Sequence, residues 1–197
     1  MKSIVYLFLC FSLIISIYSC GGKSNNEEPT EKVDTVWNEK VQDVFFDAKF
    51  GDSIPDVVKK FGKHDFILLE NISTDALLHF SSTQGRYFTF GNIGWEMLDV
   101  IAENGRFTGI RFMNASDDKA SALNHYNNLK NAIGAKYKIT PVETSDTTVY
   151  AKCSIFGRNE SAASISCYRY ETISNDIKIA IQLYYSTSKN YGVSEEL

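Results

Sequence analysis

The sequence predicts an α+β fold: two helix-then-antiparallel-meander units, with the helices packed on one face of the sheet. Three observations predict it. Residues 53–62 and 116–134 each carry helical patterning, with a polar cap before and a glycine at the end. Each is followed by short apolar segments separated by turn residues, the mark of antiparallel strands. The composition, 44% hydrophobic and 22% charged with 3 Pro in 197 residues, is that of a chain that buries a core. Helices segregated to one side of an antiparallel sheet are the α+β arrangement. The two units, 45–113 and 114–187, read as a possible duplication within one domain over 41–187. With 20 Lys+Arg against 24 Asp+Glu the formal net charge is −4, which argues against a nucleic-acid partner, since that would call for a basic patch.

The chain opens Met1-Lys2-Ser3 and is largely apolar from Ile4 to Tyr18, shorter than the about 20 residues a spanning helix needs. A charged start, an apolar middle and small residues at the exit predict a signal peptide over 1–19. The exit, Ile17-Tyr18-Ser19-Cys20-Gly21-Gly22, resembles the lipobox of bacterial lipoproteins, with Tyr18 where a small residue is usual. The resemblance implies that Cys20 is acylated and becomes the first mature residue. That predicts a membrane-anchored protein of the bacterial outer membrane, on its periplasmic or its cell-surface side. An ordinary signal peptide cut near Ser19, or an uncleaved anchor, is the alternative. Residues 21–31 are small, polar and acidic, so 20–40 reads as a flexible tether.

Val33, Val36, Trp37, Val41 and Val44 recur at near-helical spacing, which predicts a short lead-in helix, and 44–50 then reads as extended. For the first main helix, Ser53 followed by Asp56 fits a capping pattern, and Pro55 suits the first turn. Ile54, Val57, Val58 and Phe61 form one stripe, Lys59 and Lys60 suit the last turn, and Gly62 is placed to stop it in left-handed backbone. Strands are predicted at 65–70, 76–81, 86–90, 95–102 and 107–113, with Asn104-Gly105 as a two-residue hairpin turn. The second helix starts at Ser116 with Asp117 and Asp118 in its first turn. Ala122, Leu123, Tyr126, Leu129 and Ile133 face inward, and Gly134 ends it. Strands at 135–142, 147–156, 161–171 and 177–185 complete the domain, and 188–197 reads as a polar tail.

The segment from Phe50 through Gly51, Ser53, Val57 and Gly62 resembles the helix opening of small bacterial lipoproteins of the SmpA/OmlA type. Its doubled form resembles the beta-lactamase-inhibitor-protein-like fold. The resemblance implies a binding or assembly module on the periplasmic side and brings no catalytic residues.

Catalytic and cofactor signatures are not found. His64, His79 and His125 have no partner at metal-ligand spacing, and neither a nucleophile elbow nor a phosphate-binding loop occurs, so no metal and no cofactor is expected. His125 reads as a residue at the solvent edge of the second helix, and Asp99 as a carboxylate at a sheet edge. The acceptor-like triplets at Asn71, Asn114 and Asn159 read as chance. If Cys153 and Cys167 face the helices, the opposite sheet face carries Tyr150, Lys152, Phe156, Tyr168, Tyr170, Gln182 and Tyr184. Tyr150, Tyr168, Tyr170 and Tyr184 are the candidate binding residues, because tyrosine gives a large amphipathic contact at low entropy cost. A half-buried face of cross-strand aromatic pairs is the alternative. A three-residue loop at 159–161 would set Cys153 directly opposite Cys167 and predicts a disulfide in an exported chain, against two reduced thiols packed as small core residues. The function expected is that of a noncatalytic envelope module whose partner is an envelope protein or a glycan. The alternative is a hydrolase or glycan-processing accessory using paired carboxylates among Asp117, Asp118 and Glu171.

Overall fold

The computed structural model describes residues 40–172 and 174–188, all within one compact unit. The expected signal peptide, Cys20, the tether up to residue 39 and the tail from residue 189 lie outside the described residues. Of the stretch expected as a lead-in helix, Val33, Val36 and Trp37 also lie outside them, and Val41 to Asp43 are irregular. The stretch read as extended is a tight ribbon, β1 (Val44–Phe45) paired with β2 (Ala48–Lys49). Its turn puts Phe46 and Asp47 in left-handed backbone, φ 48° and 66°. That conformation is costly for a bulky residue. Packing offsets it, since the Phe46 ring lies 5.3 Å from Phe61 and 4.8 Å from Phe66, and Asp47 is hydrogen-bonded to His64 Nε2 at 2.7 Å.

Helix α1 (Ile54–Gly62) forms as its pattern predicts. The Ser53 hydroxyl accepts from the Asp56 N–H and donates to its carboxylate, and Val57 and Phe61 are fully buried. Gly62 is the last helical residue rather than a left-handed stop; Asp65 takes that backbone instead, φ 64°, and swings the chain into β3 (Phe66–Leu68). A 3₁₀ turn at Glu70–Ile72 leads to β4 (Leu77–Ser82), and a ribbon of β5 (Phe88–Phe90) and β6 (Ile93–Trp95) follows. Next come β7 (Met97–Glu103) and β8 (Arg106–Ser116), joined at Asn104 and Gly105, which both take positive φ as a two-residue hairpin requires. Helix α2 (Lys119–Gly134) is capped by Asp118, whose carboxylate accepts from the N–H groups of Ala120 and Ser121. The chain ends with β9 (Thr140–Pro141), β10 (Val149–Phe156), β11 (Ser161–Glu171) and β12 (Ile177–Thr187).

The α+β expectation is corrected here. Among the described residues the fold is mostly β: one eight-stranded antiparallel sheet in the order β3-β4-β7-β8-β12-β11-β10-β9, two small ribbons and two α-helices. It is not two helix-then-meander units packed on a sheet. The physical reason is the length of β8 and β12, 11 residues each, which pair from Gly109–Ser186 to Ser116–Ile179 and fuse all the strands into one surface. Segments read as one long strand also break up. The expected strand 95–102 is cut at Glu96, because Asn114 takes the Glu96 N–H and the Gly94 carbonyl and turns β6 out of the sheet. Of the expected strand 135–142, only β9 pairs.

The core is aromatic. Trp95, Phe45, Phe61, Phe107 and Phe112 are fully buried, and Phe90 stacks on Phe112 at 4.2 Å with rings 6° from parallel. Burying each such ring stabilises the fold by about 1.5–3 kcal/mol.

The expected disulfide register is also corrected. Phe156, not Arg158, faces Ala162, so Cys153 stands opposite Ile165 and Cys167 opposite Ala151. The Gly157 N–H closes the turn on the Ser161 carbonyl at 2.8 Å, with Glu160 in left-handed backbone. Gly157 has to be glycine, because a Cβ there would stand 2.8 Å from that same carbonyl oxygen. The turn therefore starts one residue earlier than expected on each side. The two cysteines become diagonal neighbours, which in a sheet stand about 7–8 Å apart. A bridge needs Cβ atoms about 3.8 Å apart. Both are free and buried thiols.

Candidate functional site

Alternation sends one set of strand side chains to the core and the other to the opposite face. On β12, Ile181, Leu183 and Tyr185 are buried in the core, so Gln182 and Tyr184 face away from it. Cys153 and Cys167 are buried on the helix side, and burial pushes the Cys167 thiol up from its ordinary pKa. Both helices and both ribbons bury their apolar side chains on this side. Among the described residues, the other face of the sheet is left open.

The open face holds a buried ionic cluster on β4, β7 and β8, toward the β3 end of the sheet. Asp99 on β7 is only 3% exposed. Its Oδ1 is hydrogen-bonded to His79 Nδ1 on β4 at 2.6 Å, and its Oδ2 accepts from Arg111 Nε and Nη2 on β8 at 2.8 and 2.6 Å. The three are brought together by register, since His79 is opposite Asp99 and Asp99 opposite Arg111. Asp99 is therefore on an interior strand, not at the sheet edge expected from the sequence. A carboxylate so removed from water needs such partners to offset its lost hydration. His79 and Arg111 keep side chains 28% exposed, so the cluster presents their outer edges to solvent.

Tyrosines flank the cluster. Tyr184 is opposite Arg111, and its ring lies over Gly109, where a Cβ would meet the hydroxyl at 2.8 Å. Tyr168 donates to Gln182 Oε1 at 3.1 Å and lies 6.3 Å from the Tyr170 ring. Burial raises the pKa of Tyr168 and of Tyr184, and the Arg111 charge pulls both back. Lys152 and Phe156 share the face by register, and Phe156 is 75% exposed.

Tyr150 does not belong with them. It occupies the irregularity between Val149 and Ala151, which turns it to the helix side, and Lys119 Nζ of α2 sits 4.0 Å from its ring centre. The candidate acids are also separated: Asp118 caps α2, Asp117 pairs with Lys178, and Glu171 lies opposite Ile177 at the end of β11. Of the three histidines, His125 is half-buried near Trp95, and burial lowers its pKa. Asn114 and Asn159 are both engaged by backbone, the latter through Val41. A cavity of about 560 Å³ beside the start of α1 is lined by Glu70 and Asp75, both exposed to water. Among the described residues no group of three His, Cys, Asp or Glu side chains is placed to hold a metal ion, and no helix is long and apolar enough to cross a membrane.

His79, Asp99 and Arg111 are thus the residues that sequence reasoning missed. The available signal was parity: each lies between two buried apolar neighbours, Leu78 and Phe80, Leu98 and Val100, Ile110 and Phe112, so all three leave the core together. Compared with protein-family models, with curated proteins and with solved structures, the chain finds no match in any of the three.

Proposed function

We propose that the protein is a noncatalytic, lipid-anchored binding module of the bacterial cell envelope, tethered through an acylated Cys20 and docking its partner on the open face of the sheet. The observation that carries the binding reading is the Asp99–Arg111–His79 cluster, built around a buried carboxylate on a face that no described element covers. A buried ion pair adds little stability over an apolar pair of the same size. A cluster that stability alone does not call for, with Tyr184 beside it and Tyr168 and Tyr170 further along the same face, fits recognition better than scaffolding. The anchoring part rests on the exit of the apolar segment, Ile17-Tyr18-Ser19-Cys20, and on its likeness to a lipobox. Several acyl chains together hold a protein firmly, because each buried CH₂ contributes about 0.8 kcal/mol. The likeness of residues 50–62 to SmpA/OmlA-type lipoproteins agrees with a binding or assembly role.

Two measurements test the two halves. Palmitate labelling of cells is expected to mark the protein, and Cys20→Ala to abolish the label and release the chain from the membrane fraction; a label that persists refutes the anchor. Co-purification from detergent-solubilised membranes is expected to lose the partner when Tyr168→Ala and Tyr170→Ala are combined. Unchanged recovery refutes the docking face.

A further inference from the structure

The registers of five strand pairs align six side chains in one row across the open face. Ser154 stands opposite Ser164, Ser164 opposite Tyr184, Tyr184 opposite Arg111, Arg111 opposite Asp99, and Asp99 opposite His79. With strands about 4.8 Å apart, five gaps make a row about 24 Å long. Every member carries hydrogen-bonding atoms, and the two permanent charges cancel, because Asp99 and Arg111 are spent on each other. What remains is both donor and acceptor. Arg111 keeps Nη1 for a ligand, its Nε and Nη2 being on Asp99. His79 spends Nδ1 on Asp99 and keeps Nε2 for a ligand. The hydroxyls of Ser154, Ser164 and Tyr184 donate and accept.

That pattern selects a ligand chemistry. An anion calls for unpaired cations and a cation for unpaired acids, whereas a chain of hydroxyl groups needs donors and acceptors in alternation without net charge. The rows beside it supply apolar contact: Met97 and Met113 on one side, with Tyr168 one row further along β11, and Ala162 on the other side. An extended peptide, by contrast, adds to a sheet edge rather than lying across its face. We propose that this row is the recognition track for a neutral oligosaccharide laid across the strands. The proposal rests on the docking-face reading and names its ligand class.

The test is titration calorimetry of the full chain in detergent micelles against neutral hexasaccharides of glucose, mannose, xylose and N-acetylglucosamine, with a uronic-acid hexasaccharide as the anionic control. At least one neutral hexasaccharide is expected to bind saturably and better than the anionic one. Ser164→Ala with Tyr184→Phe removes only hydroxyls and is expected to weaken that binding about tenfold, the loss of roughly two hydrogen bonds, with an unchanged melting curve. Absence of neutral saccharide binding overturns the proposal, as does equal or tighter binding of the anionic control. If saccharides fail while Tyr168→Ala with Tyr170→Ala still loses an envelope protein, the docking face stands and its glycan ligand falls. If saccharide binding ignores both pairs of substitutions, the proposal and the docking face fall together.

Discussion

Replacing Asp99 by alanine is the sharpest perturbation of the open face. It removes three hydrogen bonds, at 2.6, 2.8 and 2.6 Å, from a side chain that water barely reaches. Breaking a buried ion pair costs about 3–5 kcal/mol, chiefly because the surviving charge is stranded. Here Arg111 and His79 are 28% exposed and recover some hydration, so the lower end applies, about 3 kcal/mol. For a domain of this size that lowers Tm by about 6–12 °C. The double variant Asp99→Leu with Arg111→Met strands no partner of that pair and is expected within about 1 kcal/mol of the wild type. Urea denaturation followed by circular dichroism reads both. A loss below about 1 kcal/mol for Asp99→Ala, or a double variant less stable than the single one, refutes the cluster as drawn.

Three further outcomes follow from the same structure. Cys153 and Cys167 are expected as free thiols in a nonreducing peptide map of protein recovered from the envelope, alkylated only after unfolding because both are buried and burial raises the Cys167 pKa; a bridged peptide contradicts the register. Phe61→Ala removes a ring packed 5.0 Å from Phe80 and 6.0 Å from Phe66, and is expected to cost about 3–5 kcal/mol in the same denaturation assay. Burial depresses the His125 pKa below its ordinary 6.5, so the unfolded chain binds the proton more readily. Its contribution is therefore complete above pH 6.5 and is lost as pH falls through the lower folded value, and His125→Gln should flatten the stability curve in the interval below 6.5.

What was legible in the sequence was local. Ser53, Pro55 and the stripe through Val57 and Phe61 specify α1 without outside help, and Asn104-Gly105 specifies its hairpin through the backbone those two residues tolerate. Register was not legible, because a single irregularity resets it. Between β7 and β8 the ladder starts at Glu103–Arg106 and shifts between Ile101 and Ala102. That shift sets Asp99 opposite Arg111 rather than Ile110, and without it Leu98 would share a face with the arginine. Nothing in the residues of either strand announces the bulge. The same limit moved the cysteines, where a turn beginning at Gly157 rather than one residue later made opposed partners diagonal, and it turned Tyr150 to the helix side. The fusion of all the strands through β8 and β12 joins segments some 70 residues apart, Ser116 with Ile179 among them, beyond any local pattern. Of the open face, the sequence showed the tyrosines by type and parity, while the ionic cluster beside them depends on the registers of β4 with β7 and of β7 with β8.

Site-specific photocrosslinking in living cells tests the docking face most directly. A benzophenone side chain inserted at Gln182, on the open face, reacts with C–H bonds of a bound protein or glycan alike. The same group at Asn128, exposed on α2, reports the opposite side. A light-dependent adduct at 182 and none at 128 is the predicted result; an adduct at 128 with none at 182 would put the partner on the helix side and contradict the account.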